Sequence, residues 1–320
     1  MSNYITARDA HPIDHLVVSS KRVADLRRHL LASIPRCPKH GSTLASLQSV
    51  SINRLFIAYL NWADRLIAPR PRSVWVWDGF WRRNQPERFA DQLNRIISAV
   101  RCGEDLTPYL SPLVRTHGFA PRAIEKRGPN WEDKDLALNA YDVHHLHLVP
   151  ANSKGKRSKE SQLLLYVGVS RSDLLLVMIG DHDSFNDGTL FQAVTDHRVQ
   201  SGHILNVDVA SQPLAPRESQ RLTRRGIVSP GLSGSALSIT SLVASDGSSV
   251  GHVRHADVCC EAIESVERCI CNRELLADEL GVERSLIPLD ADWIWRFDHC
   301  DLALVDQRSG AALPVVLWRR

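Results

Sequence analysis

Apolar positions recur every three to four residues through much of the first third of the chain. In "SKRVADLRRHLLASI" (20–34) they fall at Val23, Leu26, Leu30, Leu31 and Ile34, close to a 3.6-residue period, with Ser20 placed to cap the helix. Residues 43–68 continue in the same manner until "PRPR" stops them, and 86–103 opens with Pro86 and closes on Gly103, the asymmetry expected of a helix. "EDLTPYLSPLVRTHGF" predicts a short helix broken by Pro108 and Pro112. The tryptophan-rich "VWVWDGFWRR" (74–83) reads as a core-capping loop in preference to a stacking platform, because tryptophan fills interiors readily.

The middle of the chain changes period. "LLLYVGV" (163–169) and "LLLVMIG" (174–180) are seven-residue apolar runs joined by "SRSD", the pattern of a buried β-hairpin. "YDVHHLHLVP" (141–150) has strand length and is assigned to the same sheet. In the last third, 229–251 is a loop or short-strand region, and 262–280 is helical. "DWIWRF" and the final stretch are strands, the latter a hairpin turning at "RSG". The expected fold is α+β: a helical region over 1–120, a small antiparallel-sheet module over 121–204, and a C-terminal α+β region over 205–320 with no assigned role.

Composition narrows this picture. A hydrophobic fraction of 43% and a charged fraction of 23% suit a globular protein with a buried core. No apolar run approaches the ~20 residues that cross a bilayer, and "MSNYITARDAHPIDHL" lacks the basic-then-apolar order of a secretory signal. Seven cysteines without regular spacing suit a reducing compartment. The expectation is a cytoplasmic protein without a membrane partner. With a net charge of only +3, contacts to nucleic acid have to come from local patches.

The histidines carry the candidate chemistry. On a strand, alternation places His145 and His147 on one face, about 7 Å apart along the backbone, and His144 with Leu146 and Leu148 on the other, as a structural residue. Two readings compete for the pair. In one they bind Zn or Mn, with Asp181, His182 and Asp183 of "GDHDSF" as further ligands. In the other they do acid–base work directly. The following loop, "SKGKRSK", favours the second. Lys154, Lys156, Arg157 and Lys159 are out of place at the rim of a cation site, yet suit a phosphodiester, and Arg171 in the hairpin turn adds a further positive group.

The order helix, histidine strand, basic loop, apolar hairpin and then histidine resembles the small RNase-toxin fold of RelE-like and barnase/EndoU/colicin-like nucleases. "LLLVMIGDHDSF" is similar to a RelE-like strand pattern close to "vvlvigHr..vY", with His182 and Phe185 at the matching places. The resemblance covers about 130–200. It implies metal-independent cleavage of RNA by attack of the ribose 2′-hydroxyl on the adjacent phosphate. His145 and His147 would serve as general base and general acid, in either order, and Lys154, Lys156, Arg157, Lys159 and Arg171 would hold phosphate. His182 would be a third titrating group or a structural partner. The chain departs from the small toxins in its length, its "HHLH" cluster and the carboxylates of "DHD". These departures keep open a metal-dependent phosphoesterase using His145, His147, Asp181 and His182. A non-catalytic nucleic-acid or protein-interaction module is a third reading. The expected partner is RNA, and the flanking regions are read as serving an inhibitory or targeting protein.

Three smaller constellations stand beside the histidines. The first, "GLSGSA" (231–236), resembles the glycine–serine stretch around the nucleophile of trypsin-like proteases, with Ser233 in the nucleophile's place and Leu232 where that pattern has Asp; it reads as an ordinary loop turn in preference. Cys259, Cys260, Cys269 and Cys271, with His252 and His255 upstream, match zinc spacings poorly and read as core cysteines. The basic stretch 217–226 suits either a contact to nucleic acid or a solvated helix face, and the second is the preferred reading.

Overall fold

Serine side chains set where the first helices begin. Ser20 accepts a hydrogen bond from the Val23 amide at 3.4 Å, and Val23, Leu26, Leu30 and Ile34 below it are buried. Residues 43–68 hold two helices in place of one continuous helix. Ser51 accepts from the Arg54 amide at 3.3 Å and starts the second, because a serine hydroxyl competes for backbone groups in mid-helix and favours a cap. Gly103 ends the later helix at φ 72°, where a Cβ would fall 2.6 Å from the Pro71 nitrogen.

The computed structural model describes residues 13–83, 86–121, 130–151, 162–205, 214–239 and 242–318. In chain order they form α1 (Asp14–Ser19), α2 (Lys21–Ser33), α3 (Gly41–Gln48) and α4 (Ile52–Ala63), then β1 (Ser73–Val76), α5 (Asp78–Arg83), α6 (Ala90–Cys102) and α7 (Leu136–Tyr141). Next come β2 (His144–His147), β3 (Leu164–Val169), β4 (Asp173–Gly180), α8 (Thr189–Gln200), α9 (Pro216–Thr223), β5 (Pro230–Ser233) and β6 (Ala236–Ile239). The chain closes with α10 (Val250–Cys269), α11 (Arg273–Leu280), β7 (Trp293–Asp298), β8 (Asp301–Asp306) and β9 (Ala312–Val316). The fold is α+β, with three small sheets among the described residues. No described helix is long and apolar enough to cross a membrane.

Contacts divide the chain into two units that are not consecutive stretches, unlike the three regions expected. One takes its described residues from 1–64, 117–121 and 251–318, the other from 65–116 and 122–250. In the first, the apolar faces of α2, α4 and α10 share a core with the antiparallel sheet β7-β8-β9. Strand β7 alternates as a half-buried strand should: Trp293, Trp295 and Phe297 point into that core. Cys259, Cys260 and Cys300 are buried free thiols there, and burial pushes Cys260 up to about 12.

The second unit is built on a four-stranded sheet in the order β1-β4-β3-β2. The predicted hairpin is β3-β4, antiparallel, and the histidine strand β2 pairs antiparallel with β3. The tryptophan stretch is not a loop. It forms β1, parallel to β4, and α5: Val74 and Val76 face inward while Trp75 and Trp81 are exposed and only Trp77 is buried. One face of the sheet packs Leu146, Leu165, Val167, Leu174 and Leu176 against Leu93, Ile96 and Val100 of α6. The other packs Leu164, Tyr166 and Met178 against α7 and against Phe191 and Val194 of α8. Helix α9 is not a solvated face throughout, because Ser219, Gln220 and Thr223 are fully buried.

Candidate functional site

The site grows from a helix cap. Asp135 precedes α7 and accepts a hydrogen bond from the Leu138 amide at 3.1 Å through Oδ1. Its Oδ2 remains available and lies 3.2 Å from Nδ1 of His145. Asp142 closes α7 in the left-handed region at φ 63° and turns the chain straight into β2. The expected alternation holds: His144 is buried opposite Val167, whereas His145 and His147 pair with Tyr166 and Leu164 on the α7/α8 face.

The third histidine arrives from the end of β4. Gly180 is tightly enclosed, with a Cβ there falling 2.6 Å from Ser184 Oγ and 2.9 Å from Met178 Cε. Asp181 then caps the 3₁₀ turn His182–Phe185, accepting from the Asp183 and Ser184 amides at 2.9 and 3.1 Å, while its own amide donates to Ser184 Oγ at 3.2 Å. The Tyr166 hydroxyl donates to the Asp181 carbonyl at 2.8 Å. This turn brings the His182 ring to 5.8 Å from His147. Phe185 stacks on His182 at 6.3 Å and meets His145 edge-on at 5.4 Å. Gln220 of α9 fixes the far end of the turn, donating to the Phe185 carbonyl and accepting from the Tyr141 hydroxyl.

Charges in the cluster are coupled. Burial works to raise the Asp135 carboxyl, but the charge of His145, the Arg65 guanidinium and the Leu138 amide outweigh it and hold Asp135 well below the usual carboxylate range. His182 is lowered, first by burial and then by the charge of His145, with Asp181 and Asp183 pulling the other way. Burial raises the Tyr166 hydroxyl far above neutrality, with the neighbouring carboxylates adding to the shift, so it acts as a donor and not as a base.

Several sequence-based expectations need correction. His145 and His147 were expected to face an open basic surface, yet the His145 side chain is 14% exposed and His147 is 7% exposed, because α7 and the 181–185 turn lie on their face. The exposed imidazole is His182. Arg171 sits in the β3–β4 turn, at the opposite end of β4 from His182, about 25 Å away by strand rise. It takes no part in the cluster. Lys154, Lys156, Arg157 and Lys159 lie outside the described residues. Of the alternative metal set His145, His147, Asp181 and His182, the Asp181 carboxylate commits Oδ1 to the cap of the 3₁₀ turn. No group of three or more such side chains is placed to hold an ion among the described residues.

The sequence pattern overlooked Asp135, Tyr166, Arg65 and Gln220. An aspartate just before "LALNA" is a readable cap signal, whereas its meeting with a histidine ten residues later depends on the length of α7. Tyr166 could have been found from strand parity opposite His145. Arg65, which is buried and donates to the Asp133 carbonyl at 3.3 Å, and Gln220 carried no local signal. Chemically, the site offers one solvent-facing imidazole against a second, beside a third supported by a carboxylate, which is equipment for moving protons. Comparison with family models, with curated proteins and with solved structures finds no match to this chain.

Proposed function

We propose that the chain is a metal-independent ribonuclease of toxin or defence type, acting on cytoplasmic RNA. The observation that carries this reading is the exposed His182 ring, lowered towards its neutral form and lying 5.8 Å from His147. In the reaction, neutral His182 takes the proton of a ribose 2′-hydroxyl. The 2′-oxygen attacks phosphorus, the bond to the 5′-oxygen breaks, and protonated His147 gives that leaving oxygen a proton. The products are a 2′,3′-cyclic phosphate and a 5′-hydroxyl. His145, held by Asp135, meets Phe185 edge-on and steadies the turn that carries His182.

The test is cleavage of single-stranded RNA by the purified chain in EDTA, with the ends of the fragments identified. His182→Ala and His147→Ala are each expected to lower the rate roughly 100-fold or more. Undiminished cleavage by both variants would overturn the assignment, and loss of activity on chelation would point to a metal-dependent phosphoesterase. A second reading, an interaction module with structural histidines, is favoured by the 7% exposure of His147. It predicts no RNA cleavage and no growth arrest on expression.

A further inference from the structure

Helix α9 combines a fully buried polar face with an outer face of one charge. Ser219, Gln220 and Thr223 point inward, while Arg217, Arg221, Arg224 and Arg225 are exposed. Their spacing of four, three and one residues sets them along one side of the helix and its last turn. Arg217–Arg221 and Arg221–Arg225 are like charges at i,i+4, an arrangement that destabilises a helix on its own. Glu218 is the one carboxylate within α9, and no ion pair joins any of the four arginines to a carboxylate among the described residues. A helix that concentrates unneutralised guanidinium groups in this way is matched to an anionic partner.

The location narrows the partner. α9 lies along the segment that follows His182: a Cβ on Gly188 would fall 2.6 Å from the Arg217 nitrogen, and Gln220 donates to the Phe185 carbonyl. At the other end of the helix, the partly exposed Trp131 donates from its indole nitrogen to the Arg224 carbonyl at 3.0 Å. Guanidinium groups pair with phosphate oxygens, and an aromatic face beside them suits unpaired bases.

We propose that the arginine stripe of α9, with Arg217, Arg221, Arg224 and Arg225, binds the phosphodiester backbone of single-stranded RNA and leads it to His182. The proposal rests on the ribonuclease reading of the site, but its test does not depend on cleavage. A fluorescein-labelled 2′-O-methyl RNA 12-mer has no free 2′-hydroxyl to attack phosphorus, so binding can be followed by anisotropy without turnover.

The fourfold variant R217Q/R221Q/R224Q/R225Q is expected to bind this RNA about 100-fold more weakly at 50 mM salt. The slope of log affinity against log salt should fall by about 0.7 for each lost phosphate contact. The control is R95Q, an exposed arginine of α6 on the opposite face of the sheet, expected to change affinity by less than about 2-fold. Should the fourfold variant unfold, R217Q and R221Q carry the test singly, each with about a 3-fold loss.

Unchanged binding by the stripe variants, or equal loss in R95Q, overturns the proposal. So does poly-glutamate binding as tightly and with the same stripe dependence, which would mark an acidic protein partner. Binding through the stripe without cleavage of ordinary RNA would remove the ribonuclease reading and leave the RNA surface standing. Cleavage with stripe-independent binding would do the reverse.

Discussion

Asp135 divides its two oxygens between two tasks, capping α7 with one and facing His145 with the other. Asp135→Asn keeps a capping oxygen and loses the charge, so it is expected to destabilise the protein by roughly 2–3 kcal/mol at pH 7. The pH dependence has a definite sign. Because the folded carboxyl sits below its unfolded value of about 3.9, its contribution is complete above about pH 4 and is lost as pH falls towards the folded value. Urea midpoints of wild type and variant should therefore converge below pH 4; a constant gap would mean the charge is not what stabilises. For His182 the lowering places the acid limb of the cleavage rate below its ordinary value of about 6.5, a prediction read from the pH profile of kcat/KM. Which face each histidine takes followed from strand parity alone. How deeply each is covered did not, because the covering groups come from α7 and from a turn more than thirty residues away.

Among the elements, the 181–188 turn is held tightly at both ends by Gly180 and Gly188. Gly188 has φ 90°, and its α-hydrogen side abuts Arg217 and Pro216 at the start of α9. Gly188→Ala adds a methyl where backbone already lies and enforces a left-handed conformation that L-residues avoid. The variant is expected to lose at least about 2 kcal/mol and to release α9, seen as loss of amide protection over 216–223. Full protection there would show that the helix does not need this contact. The hairpin β3-β4 was readable because two long apolar runs flank a short polar turn. β1 was not, since its four residues open a tryptophan-rich stretch that looks like packing material, and their parallel partner lies about a hundred residues further on. The break between α3 and α4 turned on Ser51, a single cap inside a continuous apolar period.

At the scale of the molecule, the unit holding α2 and α4 is completed by α10 and by β7 to β9, some two hundred residues later. Removing 251–318 strips the cover from Leu26, Leu30, Phe56 and Leu60, so amide protection in α2 and α4 is expected to vanish; persistence would mean that those helices stand without it. The sequence could report that each of these faces is apolar, since periodicity is local. It could not report which faces meet, and the contact units join segments that are distant in sequence. Within the other unit, the described partners named around the histidine cluster run from Arg65 to Gln220.

That interleaving gives the newborn chain a timetable. The ribosome releases the histidine-bearing portion while its companion is still missing half its substance, so the proton-handling machinery can assemble first and the outer segments close their own core last. On the ribonuclease reading proposed above, the histidine cluster would therefore form before synthesis ends.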